Sequence, residues 1–232
     1  EDDMSHSSSK AIWTTVYKAD CYKFKEVSWN RYPKFIIDIG ANVGWFSKLA
    51  AELKPKSKVL SFELMEENFR QALENASDLN NIEFHNKVVI GENLATSYVR
   101  APSNIGGHRA LYANEDTYVS EKRYKDKIYE KDAKTGSVIH NDLPTQISLL
   151  EIIEQNNIDY IDFLKIDCEG CEHELLLHMM KHNLDKKILN MALEFHGRTW
   201  PEWNPIKEEL INRFDSYKNG GAKSIILFKN KL

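Results

Sequence analysis

The chain has 232 residues, 42% of them hydrophobic, and a net charge of −4, enough for a sizeable α/β core and no basic field for a nucleic-acid backbone. No apolar run approaches the roughly 20 residues that cross a bilayer, so no membrane span and no secretory leader are expected. Three cysteines, an odd number, argue against a disulfide framework and for a reducing, cytoplasmic setting.

Residues 1–10 run from acidic to Ser/His-rich and predict a linker or tag-like segment, with residues 11–232 forming one domain. Ile12, Trp13, Val16, Tyr17, Tyr22 and Phe24 are spaced as a helical cap before the sheet. Phe35–Ile39 is a short apolar run around Asp38 and predicts a buried parallel strand. Gly40 follows it as a turn that lets a ligand approach bare backbone, and Asn42 to Leu53 predicts the next helix. Lys58–Glu63 is a second buried strand, Glu66–Asn75 a helix, and Ile82–Phe84 and Val88–Ile90 are strands, with Thr96–Arg100 in a hairpin. A glycine loop spans Ser103 to Arg109, and residues 114–136 are charged enough to predict a solvated insertion or lid. Then come a helix over Leu149–Asn156, a buried strand from Tyr160 to Ile166, and a helix from Gly170 to Lys181. The strand Ile188–Glu194, a helix from Pro205 to Tyr217 and the strand Ser224–Phe228 complete the series. Alternating strands and helices imply right-handed crossovers and a parallel sheet with helices on both faces.

In such a sheet, ligands bind beyond the carboxyl ends of the strands. Asp38, Glu63, Asp167 and Glu194 all stand at that edge. One acid there would read as a helix cap; several sharing an edge, two beside glycines, favour a site. Glu63, about 20 residues past the glycine turn, suits a ribose diol. That leaves nicotinamide dinucleotides or S-adenosylmethionine. The dinucleotide fingerprint wants glycine where Asn42 stands, so the D-x-G-x-x-x-G pattern of Asp38, Gly40 and Gly44 favours S-adenosylmethionine.

The stretches FIIDIGANVGWFS, SFELMEEN and FLKIDCEGCE resemble the FkbM-type methyltransferases, whose third block reads close to L-K-I-D-V-E-G-A-E. The resemblance spans Tyr32 to Glu194. It implies a Rossmann-like class I methyltransferase: a mostly parallel seven-stranded sheet with an antiparallel last strand, S-adenosylmethionine, and O-methylation of a sugar or natural-product hydroxyl. By position, Asp38, Gly40, Ala41, Asn42, Gly44 and Trp45 would surround the methionine part, Glu63 the ribose, Leu64 or Met65 the adenine, and Asp167 would also face the cofactor. Cys168 and Cys171 take the places of valine and alanine, and without a second pair they predict neither zinc nor redox work.

Transfer to a hydroxyl needs a base or a Lewis acid. His196, just past Glu194, is the preferred base because imidazole titrates near neutrality; Asp167 and Glu169 are alternatives, with Lys165 a charge partner. A divalent cation between Asp167 and Glu194, completed by His196, is admitted but not favoured. For the acceptor, His196, Arg198 and Trp200, with Trp203 beside them, suggest a carbohydrate platform, met by Asn104, His108 and Arg109 from the glycine loop. The expected acceptor is a glycan or glycosylated metabolite, and a glycosyltransferase domain in the same polypeptide would be a natural neighbour. The rivals are an RNA 2′-O-ribose methyltransferase, against which the acidic balance counts, a nicotinamide oxidoreductase, and a non-catalytic cofactor-binding module.

Overall fold

The computed structural model describes residues 10–100, 109–112, 138–140, 143–196, 203–219 and 225–230. Its centre is a seven-stranded sheet of β1 (Phe35–Ile39), β2 (Lys58–Glu63), β3 (Ile82–Asn86), β9 (Phe163–Ile166), β10 (Asn190–Glu194), β11 (Ser216–Asn219) and β12 (Ile225–Lys229). The spatial order is β3-β2-β1-β9-β10-β12-β11. The contacts among β3, β2, β1, β9 and β10 are parallel, whereas β12 runs antiparallel to both of its neighbours. This is the expected architecture, antiparallel last strand included.

Strand order turns at β1, whose neighbours are β2 and β9. The edge beyond β1, β2 and β9 is therefore where ligands enter an open α/β sheet. The apolar runs of these strands account for their burial on both faces: Ile36, Ile37, Val59, Leu60 and Leu164 are fully buried. One face is closed by α1 (Trp45–Leu53), through Phe46 and Ala50, and by Tyr22 and Phe24 from the preceding segment. That segment is a π-helix, Trp13–Lys18, followed by a 3₁₀ turn, Phe24–Glu26. Phe24 stacks edge-on against Phe46 and Phe163. The other face is covered by α3 (Leu149–Gln155), α4 (Glu172–Lys181) and α5 (Trp203–Arg213). Ser148 and Glu151 cap α3 reciprocally, satisfying N–H groups that have no partner inside the helix. The remaining helix, α2 (Glu66–Asn75), follows β2.

Two small sheets flank the main one: β4 (Val88–Ile90) with β8 (Gln146–Ser148), and β5 (Ala95–Arg100) between β6 (Arg109–Tyr112) and β7 (Val138–His140). The predicted hairpin near Thr96 is thus a three-stranded unit. The exposed strand β11, expected as the end of a helix, is a correction: α5 stops at Arg213. The predicted linker at residues 1–9, the charged lid at 114–136, Asn104, His108, Arg198 and Trp200 lie outside the described residues, and Arg109 is described only as part of β6. Among the described residues, no helix is long and apolar enough to cross a membrane.

Candidate active site

A cavity of about 340 Å³ opens at the carboxyl edge of β1, β2 and β9, within the usual size of small-molecule sites. Its floor is the turn after β1. There Gly40, Asn42 and Gly44 all have positive φ, at 77°, 52° and 82°. The helix begins only at Trp45, with Gly44 as its N-cap, and not at Asn42 as expected. Asn42 instead bends its own backbone, accepting from the Val43 N–H at 2.7 Å, the local bond that lets asparagine occupy left-handed backbone.

Gly40 has a packing role beyond the one its sequence context suggests. A Cβ at this position would lie 1.8 Å from the backbone oxygen of Asp167. The missing side chain makes room for the backbone just after β9, while Gly40 itself also lines the cavity. The loop is also pinned to β2, since the N–H groups of Gly40 and Ala41 both donate to the Phe62 carbonyl, at 3.0 and 2.9 Å.

Glu63 joins the loops after β1 and β2. Its two carboxylate oxygens accept the N–H groups of Asn42 at 2.8 Å and Met65 at 2.9 Å. Burial raises its pKa, while those backbone donors pull the other way. Leu64, Val88 and Val89 line the cavity beside it, with Ala41, Asn42 and Trp45 on the glycine-loop side. Met65 is buried behind them.

Asp38 is not part of the lining, which corrects its assignment to the cofactor. Register places it between Ser61 on β2 and Lys165 on β9. Its carboxylate is fully buried, accepts from Ser47 Oγ at 2.6 Å, and pairs with Lys165 Nζ at 3.0 Å. Lys165 also donates to the Gly40 carbonyl at 2.6 Å and lies 5.4 Å from the centre of the Tyr22 ring. Burial alone would lower the ammonium's pKa, but Asp38, Asp167 and Glu63 together raise it, so Lys165 is a fixed cation beneath the site.

The turn between β9 and α4 brings titratable groups to the cavity. Asp167, Glu169 and Glu194 face the cavity. Tyr22 donates its hydroxyl to Asp167 Oδ2. His196 Nδ1 sits 2.9 Å from Glu172 Oε1, and its Nε2 lies 3.8 Å from Asp167 and 3.6 Å from Glu169. Burial would lower the imidazole's pKa, but Glu172 foremost, then Glu169 and Asp167, raise it to about 9. Glu169 moves up to about 7, chiefly through burial, with His196 opposing and Asp167 and Glu172 assisting. These values favour Glu169, the alternative base, over His196. At neutral pH His196 is an imidazolium with no lone pair to offer, and Glu169 is the group poised to take a proton.

The same turn contains a disulfide between Cys168 and Cys171, whose Cα atoms are 5.6 Å apart. The odd cysteine count argues against a disulfide framework, and this single short bridge is not anticipated by it. The cation set also differs from the expected one: ligand atoms of Asp167, Glu169 and His196 lie within 4.8 Å of one another, with Glu194 outside the group. Trp203 stacks on Phe195 at 3.8 Å between ring centres and is buried, so it packs the core and not an acceptor. Two members of the site escaped the sequence reading. Tyr22 looked like one more apolar residue of the cap. Glu172 was legible only as the last letter of the quoted FLKIDCEGCE block, because helix-start acids are usually caps.

A family model for the methyltransferase FkbM domain matches residues 38–219, from the buried Asp38 through β11. The chain belongs to the FkbM methyltransferase family. Methyltransferase sdnD of Sordaria araneosa is 24% identical over 185 residues, covering 75% of this chain and 70% of the relative. The crystal structure of methyltransferase FkbM from Methylobacillus flagellatus KT matches with a TM-score of 0.54 at 15% identity, over 94% of this chain and 47% of that one. This FkbM-family chain thus spans about half of that relative's length, and the likeness shows the fold.

Proposed function

We propose that the chain transfers a methyl group from S-adenosylmethionine to a sugar hydroxyl. The residues lining the cavity fit that cofactor by their chemistry. Glu63, held by two backbone N–H groups, keeps a carboxylate where a ribose diol would place its hydroxyls. Leu64, Val88 and Val89 offer an apolar slot for an adenine ring, and the N-terminus of α1 after Gly44 suits a carboxylate. The cofactor supplies a methyl group already activated on a sulfonium.

The chain's own task is to orient an acceptor oxygen and take its proton. The observation that carries the reading is Glu169, a carboxyl with a pKa near 7 in the same cavity as Glu63. Ionised Glu169 accepts the hydroxyl proton, and the His196 imidazolium 3.6 Å away keeps enough of it ionised at neutral pH. Glu172 holds His196 in place from behind. Tyr22, donating to Asp167, leaves the other oxygen of that carboxylate for a second hydroxyl. Neighbouring hydroxyls are what a sugar ring presents.

The test is incubation with methyl-labelled S-adenosylmethionine and three acceptor panels: mono- and oligosaccharides, glycosylated small molecules, and RNA. Label recovered as a sugar O-methyl ether supports the reading. Label confined to RNA or to a non-sugar acceptor overturns the substrate, and cofactor binding with no turnover on any panel overturns the enzyme.

A further inference from the structure

A second cluster of titratable groups lies away from the cavity, between the loop after β4 and the last turns of α4. His178 and His182 are four residues apart, so both rings project from one helix face; their centres are 4.6 Å apart. Glu92 meets them. Its Oε1 lies 2.8 Å from His178 Nδ1 and 2.6 Å from His182 Nε2, while its Oε2 takes the Lys181 ammonium at 2.7 Å. Hydrogen bonds from Lys181 foremost, then from the two imidazoles, hold Glu92 down to about 2. Glu92 is therefore a carboxylate at any working pH.

The loop that presents Glu92 is fixed in place. A Cβ on Gly91 would lie 2.4 Å from the backbone oxygen of Glu174 on α4, so the loop is pressed against the helix. On the other side Asn93 donates to Glu174 at 2.9 Å. The carboxylate is thus held between two anchors, with the imidazoles on a rigid helix. The order that a metal site usually costs is already present in the fold.

We propose that Glu92, His178 and His182 form a site for a divalent transition-metal ion of the zinc type, with its fourth position left to water. Two imidazoles and one carboxylate are the donors zinc prefers over magnesium or calcium. The three ligand atoms lie within 4.8 Å of one another. Tetrahedral bonds of about 2.0–2.1 Å separate ligand atoms by roughly 3.3 Å. The trio must therefore open by some tenths of an ångström, which the half-exposed Glu92 and His182 side chains permit. The ion replaces two protons now directed at Oε1, leaving Lys181 on Oε2. It staples the β4 loop to the helix whose opposite end carries Glu172.

The test is titration of the full chain with Zn²⁺ by calorimetry, with Co²⁺ as a spectroscopic probe, in wild type, E92Q, H182Q and H196A. His182→Gln keeps an N–H toward Glu92 but removes the imidazole, and unfolding in EDTA checks that the fold survives. Expected are one equivalent bound, a higher Tm reversed by EDTA, cobalt bands typical of tetrahedral coordination, and at least about a tenfold loss of affinity in H182Q and E92Q, with H196A unchanged. Wild-type affinity in H182Q, absence of a zinc-dependent rise in Tm, or loss of binding in H196A alone would overturn the site. None of these readouts requires methyl transfer.

Discussion

At the scale of single residues, the site depends on who holds the proton. Histidine is the default base for a sequence reader because its free imidazole titrates near neutrality. Here Glu172 and its neighbours raise His196 to about 9, and burial lifts Glu169 to about 7, which fits Glu169 as the proposed proton acceptor. Glu169→Gln is therefore expected to lower kcat by about 10²- to 10⁴-fold while cofactor binding measured by calorimetry persists. In wild type the pH–rate profile should rise with an apparent pKa near 7, a value belonging to the Glu169–His196 pair; that limb should vanish in the variant. Lys165→Met tests the ion pair beneath. It strands a buried carboxylate on Asp38, which should cost about 3–5 kcal/mol in urea unfolding. The strand acids themselves were legible as a group, because a carboxylate at the end of an apolar run is conspicuous. Which of them faces the cavity and which lies below it was not, since register with Ser61 and Lys165 decides that.

At the scale of elements, the turns carry the chemistry and the strands hold the turns. Gly40→Ala drives a methyl into the Asp167 carbonyl at an already positive φ. It should unfold the chain at a lower temperature than Gly44→Ala, whose new Cβ meets chiefly the methyl of Ala72 at 2.9 Å; paired thermal melts decide the order. The Cys168–Cys171 bridge closes a short loop, so chain entropy limits its contribution to roughly 2 kcal/mol. Reduction by a dithiol should lower Tm modestly, and Cys171→Ser should make the melt insensitive to reductant. The strands β1 and β2 and the helix after β2 could be drawn from sequence almost to the residue, because apolar runs and helical periodicity are local signals. The bridge could not, because it depends on how a turn folds over a helix start.

At the scale of the whole molecule, proton uptake on folding sets the response to pH. Glu169 and His196 both bind protons more tightly in the fold than their ordinary values allow. These two groups therefore hold more protons in the folded chain than in the unfolded one from about pH 4.5 to 9, and by linkage their contribution to stability falls with rising pH across that range. The contribution of His196 is fully present below about pH 6.5 and lost as pH passes about 9. Melts at pH 6 and pH 9.5 should show the lower Tm at the alkaline end, and His196→Gln together with Glu169→Gln should flatten the difference. A mostly parallel seven-stranded sheet with an antiparallel last strand followed from family resemblance and crossover rules, whereas β7 joins β5 and β6 from well beyond them in sequence, where local pattern gives no guide.

The contact between Gly40 and Asp167 also constrains how such a protein can change. The turn that floors the cavity and the residue that begins its rim touch backbone to backbone, so Gly40 cannot take a side chain and neither segment can be lengthened or shifted alone. Variation in what the cavity accepts is channelled elsewhere, to segments that can be rebuilt without moving this junction. A directed-evolution library would do best to spare positions 38–44 and 165–172 and spend its diversity on the loops around them.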